Sequence, residues 1–288
     1  MEELEGTLKE GVLVADAGAS KVDWAYGRGK DTLFFRSSGI NPFFQDTGSI
    51  ASLVEQEREG INANAVRRVF FYGAGCSSAG RKKRVEEGLG QVFPEAGIRV
   101  EHDLLGAARA SAGDEASLVG ILGTGSNACS YDGKRIVEQS GGLGYILGDE
   151  GSGAHMGKRL VRGRLNAEFS SELQEAFDQA FPQDREAHIE AIYRGNAPSR
   201  YLAAFAPFLK EQLDRREVRE LVRSSFKAFI ERHLLRLDSK GDGVLHTVGS
   251  IGHFFRPLLE EVLKEYDISP GRSVEEPIYG LIAYHRAG

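Results

Sequence analysis

The sequence predicts an α/β protein with two lobes, because strand and helix signals occur in two successive series. Each series opens with three short strand candidates joined by tight turns. The first begins at Gly11, and the pattern restarts after the Gly113-Asp114 break. Strands and helices mixed in this way indicate packed α/β layers. We place the lobes at residues 1–112 and 113–274, and treat the terminal helix, 275–288, as a candidate to return to the first lobe.

The first lobe is predicted to start with an antiparallel meander whose second corner is Gly27-Arg28-Gly29. Apolar runs bounded by glycine indicate its strands, and longer periodic runs indicate its helices. In chain order these are strands 11–16, 21–27 and 31–36, helix 46–59, strand 67–72, helix 81–92, strand 97–100 and the alanine-rich helix 103–112.

The second lobe repeats the strand–turn–strand–turn–strand order. Placing Ser20 over Ser126 brings Gly27-Arg28 over Gly133-Lys134, which suggests an internal duplication. Low identity leaves independent convergence of two hairpins as the alternative. The elements are strands 117–122, 128–131 and 135–139, a mostly helical region 153–237 with a long amphipathic stretch 215–237, strand 244–248, and helices 254–266 and 277–286.

Composition favours a soluble globular protein over a membrane or nucleic-acid-binding protein. The hydrophobic and charged fractions, 41% and 27%, are ordinary for a soluble domain. No apolar run approaches the ~18 residues of a membrane span, and the acidic N-terminus lacks a signal-peptide pattern. We expect a cytoplasmic protein. The net charge of -6 argues against nucleic acid, and the basic run 81–84 is interpreted as a solvated helix face.

Three glycine-and-hydroxyl turns are candidate phosphate sites: 16–21, 123–127 and 249–252. Glycine permits close approach, and successive amides form anion-binding concavities. Ordinary hairpin geometry is the alternative for each turn. In the first turn, Asp16 ends a buried strand, where a carboxylate needs a cation such as Mg²⁺, and Lys21 would face phosphate. Otherwise Asp16 caps the turn and Lys21 is solvated.

The glycine-rich segment 141–153 carries the acidic pair Asp149 and Glu150. A helix is predicted to begin at Ser152 or Gly153, and its N-terminus would be an anion site. The two acids would repel a bare phosphate, so they fit sugar hydroxyls or the water shell of a metal. A flexible linker is the alternative.

Two further residues are candidates for contact with the acceptor. Asp103 opens a helix, and it is interpreted either as the N-cap or as a general base that takes a proton from a hydroxyl. Asn41 precedes Pro42 in a turn, and its amide could also read a sugar hydroxyl or an acetamido group.

These motifs, in this order, resemble the N-acetylglucosamine kinase-like family of the actin-like sugar kinase/heat-shock ATPase superfamily. The matching segments are Asp16–Lys21, Gly39–Pro42, His102–Ala107, Gly123–Asn127, Gly148–Ser152 and Val248–Gly252. They extend over nearly the whole chain. The resemblance implies two ribonuclease-H-like lobes of the actin-like ATPase fold, with ATP and sugar in a cleft between them.

The resemblance also assigns roles. Phosphate and nucleotide binding would fall to Asp16, Gly18, Ser20, Lys21, Gly123, Thr124, Gly125, Gly249 and Ser250. Asp103 would be the catalytic base, Asp16 would contact Mg²⁺, and Asn41, Asn127, Asp149 and Glu150 would lie near the sugar. The expected activity is ATP-dependent phosphorylation of a small-molecule amino sugar, with N-acetylglucosamine at its C6 hydroxyl as the first choice.

Several alternatives remain open at this stage. N-acetylmuramic acid, glucosamine and glucose are other acceptors. ATPases that activate 2-hydroxyacyl-CoA dehydratases share the phosphate motifs but hold an iron–sulfur cluster on paired cysteines at a dimer interface. The spacing of Cys76 and Cys129 instead suggests buried, inert thiols. A sugar sensor would add a DNA-binding segment, for which the residues before Gly11 leave no room. A homodimer is an expectation that no motif supports.

Overall fold

The computed structural model describes residues 8–18, 21–237 and 243–287, which divide into two compact units. Unit 1 comprises Met1–Asp114 and Glu276–Gly288, and unit 2 comprises Glu115–Glu275. Each unit contains one five-stranded mixed sheet with helices. No helix in the described ranges is long and apolar enough to cross a membrane.

The sheet of unit 1 has the order β3-β2-β1-β4-β5. Strands β1, β4 and β5 are parallel to one another, and β2 is antiparallel to both of its neighbours. The carboxyl ends of the three parallel strands therefore meet at one edge of the sheet. The strands are β1 (Val12–Ala17), β2 (Lys21–Arg28), β3 (Asp31–Ser38), β4 (Arg68–Gly73) and β5 (Gly97–His102).

Strand β1 is buried on both sides because helices cover both faces of this sheet. Leu13 and Ala15 belong to the core that includes residues of α1 and α2, whereas Val12 and Val14 pack with residues of α13 on the other face. The helices of unit 1 are α1 (Thr47–Glu57), α2 (Ala79–Val92), α3 (Asp103–Ala112) and α13 (Pro277–Ala287).

Unit 2 repeats the strand order of unit 1. Its sheet has the order β8-β7-β6-β9-β10, with β6, β9 and β10 parallel and β7 antiparallel to its neighbours. This shared topology confirms the predicted α/β class of two ribonuclease-H-like lobes. The strands are β6 (Ala116–Leu122), β7 (Ser126–Asp132), β8 (Ile136–Gly141), β9 (Val244–Val248) and β10 (Ser269–Val274).

The long amphipathic helix predicted from the sequence is α10 (Arg216–Arg232). Its apolar face, including Val222, Phe226 and Phe229, belongs to the largest core of this unit. A short 3-10 turn at Leu234–Arg236 follows it. The helices are α4 (Gly144–Leu147), α5 (Gly153–Leu165), α6 (Ser171–Ala180), α7 (Arg185–Tyr193), α8 (Pro198–Ala203), α9 (Ala206–Glu211), α10 (Arg216–Arg232), α11 (Ser250–Phe254) and α12 (Arg256–Lys264).

The turn between β2 and β3 differs from the prediction. Gly27 lies inside β2, and the corner is formed by Gly29 and Lys30, with φ of 62° at Gly29. Gly27 is needed for a different reason, because a Cβ there would lie 2.1 Å from the carbonyl oxygen of Lys9. Gly27 therefore permits close approach of the backbone, and Gly29 permits the turn conformation. In the sequence both appear alike, as a glycine near a predicted turn.

The basic run at the start of α2 makes contacts within unit 1. Arg84 donates to the carbonyl of Pro42 at 2.6 Å, and the Arg81 guanidinium lies 5.4 Å from the ring centroid of Phe43. Lys82 pairs with Glu101 at 2.5 Å. The solvated-face interpretation therefore describes only part of this run, which also holds the loop that begins at Asn41.

Candidate active site

Two carboxylates gather at the carboxyl edge of the sheet in unit 1. Asp16 is the penultimate residue of β1, and it lies opposite Asp23 of β2. Burial, followed by the neighbouring carboxylates of Asp103 and Asp23, raises the pKa of Asp16 to about 7. Asp23 is held by Lys21 at 2.8 Å and by Arg36 at 2.6 Å, so Asp16 is the carboxylate that lacks a directly paired cation among the described residues.

Asp103 is the first residue of α3, and its side chain retains 26% exposure. Its Oδ1 accepts a hydrogen bond from the amide of Leu104 at 2.8 Å. The N-cap, however, is His102, whose Nδ1 lies 3.4 Å from the same amide. The interpretation of Asp103 as the N-cap is therefore wrong, because the N-cap is the preceding residue. Burial raises the pKa of Asp103, partly offset by His102, which favours its use as a proton acceptor.

The first phosphate turn is described in part. The Gly18 amide donates to the carbonyl of Lys21 at 2.9 Å, and this bond closes the corner. Lys21 is about half exposed and points to Asp23 rather than being solvated alone. Ser20, predicted to bind phosphate, lies outside the described residues.

Asn41 is brought to the same edge by the glycine turn after β4. Its Oδ1 accepts from the amide of Phe43 at 3.0 Å, as in an Asx-turn. Gly75 has φ of 79°, and a Cβ on it would lie 2.5 Å from Asn41 Oδ1. Close packing against Gly75 therefore fixes the amide, and within the described chain its Nδ2 makes no hydrogen bond.

The second phosphate turn lies between β6 and β7 in unit 2. The Gly123 amide donates to the carbonyl of Gly125 at 3.0 Å. The next two amides, of Thr124 and Gly125, donate to no other described residue. Two successive open N–H groups suit an anion. The turn thus presents two open donors, and phosphate binding there stays a prediction.

A pocket of about 570 Å³ lies beside this turn, within unit 2. Gly123 and Thr124 line one part of it, and Ser250 lines another. Gly249 brings the two parts together, because a Cβ on it would lie 2.6 Å from the carbonyl oxygen of Leu122. The remaining lining residues are largely apolar, and the charged ones are Glu211, Arg200 and Lys210. The apolar ones are Ala203, Ala204, Ala206, Pro207, Ile251, Phe254 and Phe255.

The start of α5 offers no free amides to an anion. The helix begins as predicted, with Ser152 as N-cap, but its first amides are already used. Those of Gly153 and Ala154 donate to the carbonyls of Gly123 and Thr124 at 2.9 and 3.1 Å, and that of His155 donates to Ser152 Oγ. The phosphate turn is thereby docked on the helix, and no amide of this first turn remains for a ligand.

The acidic pair splits into two different environments. Asp149, 6% exposed, accepts from the amide of Ser126 at 3.2 Å, and burial raises its pKa. Glu150, 5% exposed, is bound by Arg232 and by His233 Nε2, the latter at 2.9 Å. Burial alone would raise the pKa of Glu150, but hydrogen bonds from its own amide, His233 and Arg232 outweigh it and lower the pKa.

Asn127 is the second residue of β7. Its Oδ1 accepts from the amide of Ala128 at 3.0 Å and lies 3.4 Å from Gln139 Nε2. Gly142, with φ of 70°, packs over its Nδ2. Ser126, the neighbour of Asn127, binds both acids, through its amide to Asp149 and its hydroxyl to the Glu150 carbonyl.

Sequence reasoning missed Arg232 and His233, which follow Glu150 by more than eighty positions, the pocket residues of α8 and α9, and Phe254 of α11. Nothing in the local pattern of an amphipathic helix end marks such partners. His102 did carry a signal, because it directly precedes a candidate base.

Both cysteines are fully buried, as predicted. Burial raises the pKa of each thiol to about 12. Neither thiol therefore reaches a surface at which it could ligate a cluster shared with a second chain.

Among the described residues, no group of three or more histidine, cysteine and acidic side chains could hold a metal. Asp16 nevertheless offers a buried carboxylate without a paired cation. Mg²⁺ commonly takes one or two protein carboxylates and completes its shell with phosphate and water. The residues present fit that manner of binding.

Comparison with known proteins gives matches among solved structures. A candidate N-acetylglucosamine kinase from Porphyromonas gingivalis is 38% identical, with a TM-score of 0.89, over 96% of this chain and 99% of that one. A second, from Chromobacterium violaceum, is 19% identical with a TM-score of 0.68, over 95% and 98%. No protein-family profile and no curated protein matches the chain.

A ROK family glucokinase from Streptomyces griseus, solved with glucose and AMPPNP, shares the fold at 15% identity and a TM-score of 0.56, over 96% of this chain and 98% of that one. Two ribonuclease-H-like units, with an acid on the first strand of one and a glycine turn in the other, define an actin-like ATPase fold. The 38% identity over nearly both full lengths then decides the family. The chain belongs to the N-acetylglucosamine kinase-like family.

Proposed function

We propose that the chain is an ATP-dependent sugar kinase that phosphorylates the C6 hydroxyl of N-acetylglucosamine. The observation that carries this proposal is the pairing of Asp16 and Asp103 at one sheet edge, where burial, and after it the neighbouring carboxylate of Asp103, raises the pKa of Asp16 to about 7. Of these two acids, Asp16 suits a cation and Asp103 suits the role of proton acceptor. The relatives named as N-acetylglucosamine kinases support the choice of sugar.

The pocket of unit 2 is proposed to take the nucleotide. Its apolar lining, including Ile251 and Phe254, suits the flat face of a base, and the open amides of Thr124 and Gly125 suit its phosphates. Lys210 and Arg200 at the border add positive charge. Gly18, Ser20 and Lys21 are proposed to contact phosphate from unit 1, with Gly249 and Ser250 near the adenosine.

Mg²⁺ is proposed to be held by Asp16, whose carboxylate would become charged beside it. The ion would supply neutralisation of charge on the transferred phosphoryl group. Lys21 compensates Asp23 at 2.8 Å, so the net negative charge of this corner stays centred on Asp16 and Asp103.

Asp103 is proposed to orient the sugar hydroxyl and accept its proton as transfer proceeds. The amide of Leu104 donates to Oδ1, which restrains the carboxylate while it remains partly exposed. A raised pKa makes this carboxylate a stronger base than an exposed aspartate.

Asn41, Asn127, Asp149 and Glu150 are proposed to form the sugar site. The Nδ2 of Asn41 is a donor without a partner in the described part of the chain, and Asp149 is a buried acceptor. A donor for the acetamido oxygen and an acceptor for a hydroxyl are what an amino sugar requires.

The test is a coupled assay of ATP turnover by the purified full chain with Mg²⁺ and four sugars: N-acetylglucosamine, N-acetylmuramic acid, glucosamine and glucose. We expect the highest kcat/KM with N-acetylglucosamine and a 6-phosphate product by phosphorus NMR. The Asp103→Asn variant is the matched inactive control. If none of these sugars raises ATP turnover above background, the proposal is wrong.

N-acetylmuramic acid is a second candidate because of Arg232. Its side chain is 62% exposed although it also binds Glu150, so part of the guanidinium faces solvent beside the acidic pair. A lactyl carboxylate needs such a cation. A kcat/KM for N-acetylmuramic acid above that for N-acetylglucosamine would favour this reading.

A further inference from the structure

The carboxylate of Glu150 is occupied on both oxygens. Arg232 binds Oε1, and His233 Nε2 lies 2.9 Å from Oε2. Because an ionised carboxylate only accepts hydrogen bonds, Nε2 must carry a proton. The other ring nitrogen, Nδ1, lies 3.1 Å from Ser140 Oγ. Glu150 is thus the end of a buried chain of hydrogen bonds rather than an open acceptor.

Asp149, its neighbour, lies in a backbone conformation that non-glycine residues rarely adopt. Its φ is 61°, in the left-handed region, and its side chain is 6% exposed. Its carboxylate rests on the phosphate turn, since a Cβ on Gly125 would lie 3.0 Å from Asp149 Oδ2. Such a conformation persists only where the surroundings over-determine it.

The surroundings of this segment supply three restraints. The Ser126 hydroxyl donates to the carbonyl of Glu150 at 2.8 Å. Gly151, with φ of 78°, packs so closely that a Cβ on it would lie 2.8 Å from Phe229 Cβ on α10. Arg232 and His233 hold the Glu150 side chain from the end of that same helix.

We infer that His233 and Arg232 are positioning residues for sugar binding, which hold Glu150 and through it fix the Asp149 carboxylate. This inference rests on the proposed function. Its specific content is a division of labour within the acidic pair: Asp149 faces the sugar, and Glu150 is the anchor that keeps the Asp149 backbone in its left-handed conformation.

The first test compares His233→Phe with His233→Gln in the full chain. Phe keeps the ring volume but removes the donor to Glu150, whereas the Gln Nε2–H can restore it. We expect His233→Phe to raise KM for N-acetylglucosamine about tenfold, with KM for ATP unchanged, and His233→Gln to recover most of that loss. His188→Phe is the control, because His188 is equally buried in unit 2 but lies in the aromatic cluster with Phe177 and Phe205.

An unchanged sugar KM in His233→Phe would overturn the inference. Equal rises in both KM values, or no rescue by Gln, would assign His233 a merely structural role and overturn it as well. If the wild-type chain shows no sugar-dependent turnover, the proposed function fails instead.

In that case amide hydrogen exchange still decides the anchoring claim. The Ser152 amide donates to the Asp149 carbonyl at 3.1 Å, and its exchange should be about tenfold faster in His233→Phe than in wild type. Equal exchange rates in the two proteins would contradict anchoring.

Discussion

The first hairpin of unit 1 and the first hairpin of unit 2 occupy the same place in the same topology but carry different chemistry. In unit 1 the penultimate pair before the turn is Asp16 opposite Asp23, and in unit 2 it is Ile121 opposite Asn127. One corner is acidic, and the other is neutral with open backbone donors. A repeated fold can therefore place paired carboxylates in one hairpin and open backbone amides in the other.

Because Asp103 is the proposed base of the charged corner, Asp103→Asn should have the largest effect. Loss of a general base costs about 10²–10⁴ in rate, and we expect kcat to fall about 10³-fold. The fold and nucleotide affinity should persist, since an amide oxygen still accepts from Leu104. Steady-state kinetics with isothermal nucleotide titration measures both.

The exposed Asp31→Asn is the matched control for charge loss in unit 1. Near-normal kcat in Asp103→Asn would contradict the proposed role of Asp103 as the general base.

The acidity of the Asp16 corner should appear as a pH dependence of stability. Because the folded pKa, about 7, lies above the ordinary 3.8, the folded state binds more protons between these values, and stability should fall as pH rises from 4 to 7. The difference corresponds to at most about 4 kcal/mol. Asp16→Asn should remove this loss.

Urea unfolding of the nucleotide-free chain at pH 5 and pH 8, followed by fluorescence, measures this pH dependence of the free energy of unfolding. Trp24 is the single tryptophan and is buried on β2, so the signal reports unit 1. Identical pH dependence in wild type and variant would show that Asp16 is not the perturbed group.

The pocket beside the neutral corner should respond in nucleotide binding alone. Phe254 is 48% exposed at the pocket, so Phe254→Ala should cost little stability but lose stacking worth about 1–3 kcal/mol per base. We expect KM for ATP to rise about tenfold with the sugar KM unchanged.

Tyr193→Ala, at 81% exposure in the same unit and outside the pocket, is the control. A selective rise in sugar KM for Phe254→Ala would reverse the assignment of this pocket.

The smallest effect is expected at Gly125, where the neutral corner contacts Asp149. Gly125→Ala places a Cβ 3.0 Å from Asp149 Oδ2, which a small shift of the carboxylate relieves. We expect a rise in sugar KM of about threefold, below 1 kcal/mol. Gly80→Ala, where a Cβ meets nothing within 4 Å, serves as control. An unaffected sugar KM would separate Asp149 from the sugar.

Strand and helix order was predictable because the signals are local. Val12–Ala17 and Val244–Val248 are short apolar runs that end in glycine turns, and the helix over Asp103–Ala112 has its predicted bounds. Strand β10 was not predicted, because Pro270 and Gly271 interrupt it and its polar residues show no alternation. Pairing with β9, with a register shift between Pro270 and Ser273, makes it a strand.

The sequence by itself determined the class of fold, the order of the turns and the acid at the end of the first strand, since spacing and propensity act over a few residues. Tertiary structure alone decided which groups those residues meet. It used the first amides of α5 to dock the phosphate turn, and it paired Glu150 with Arg232 and His233 from the far end of α10. Such partners depend on strand order and helix docking, which local pattern does not encode.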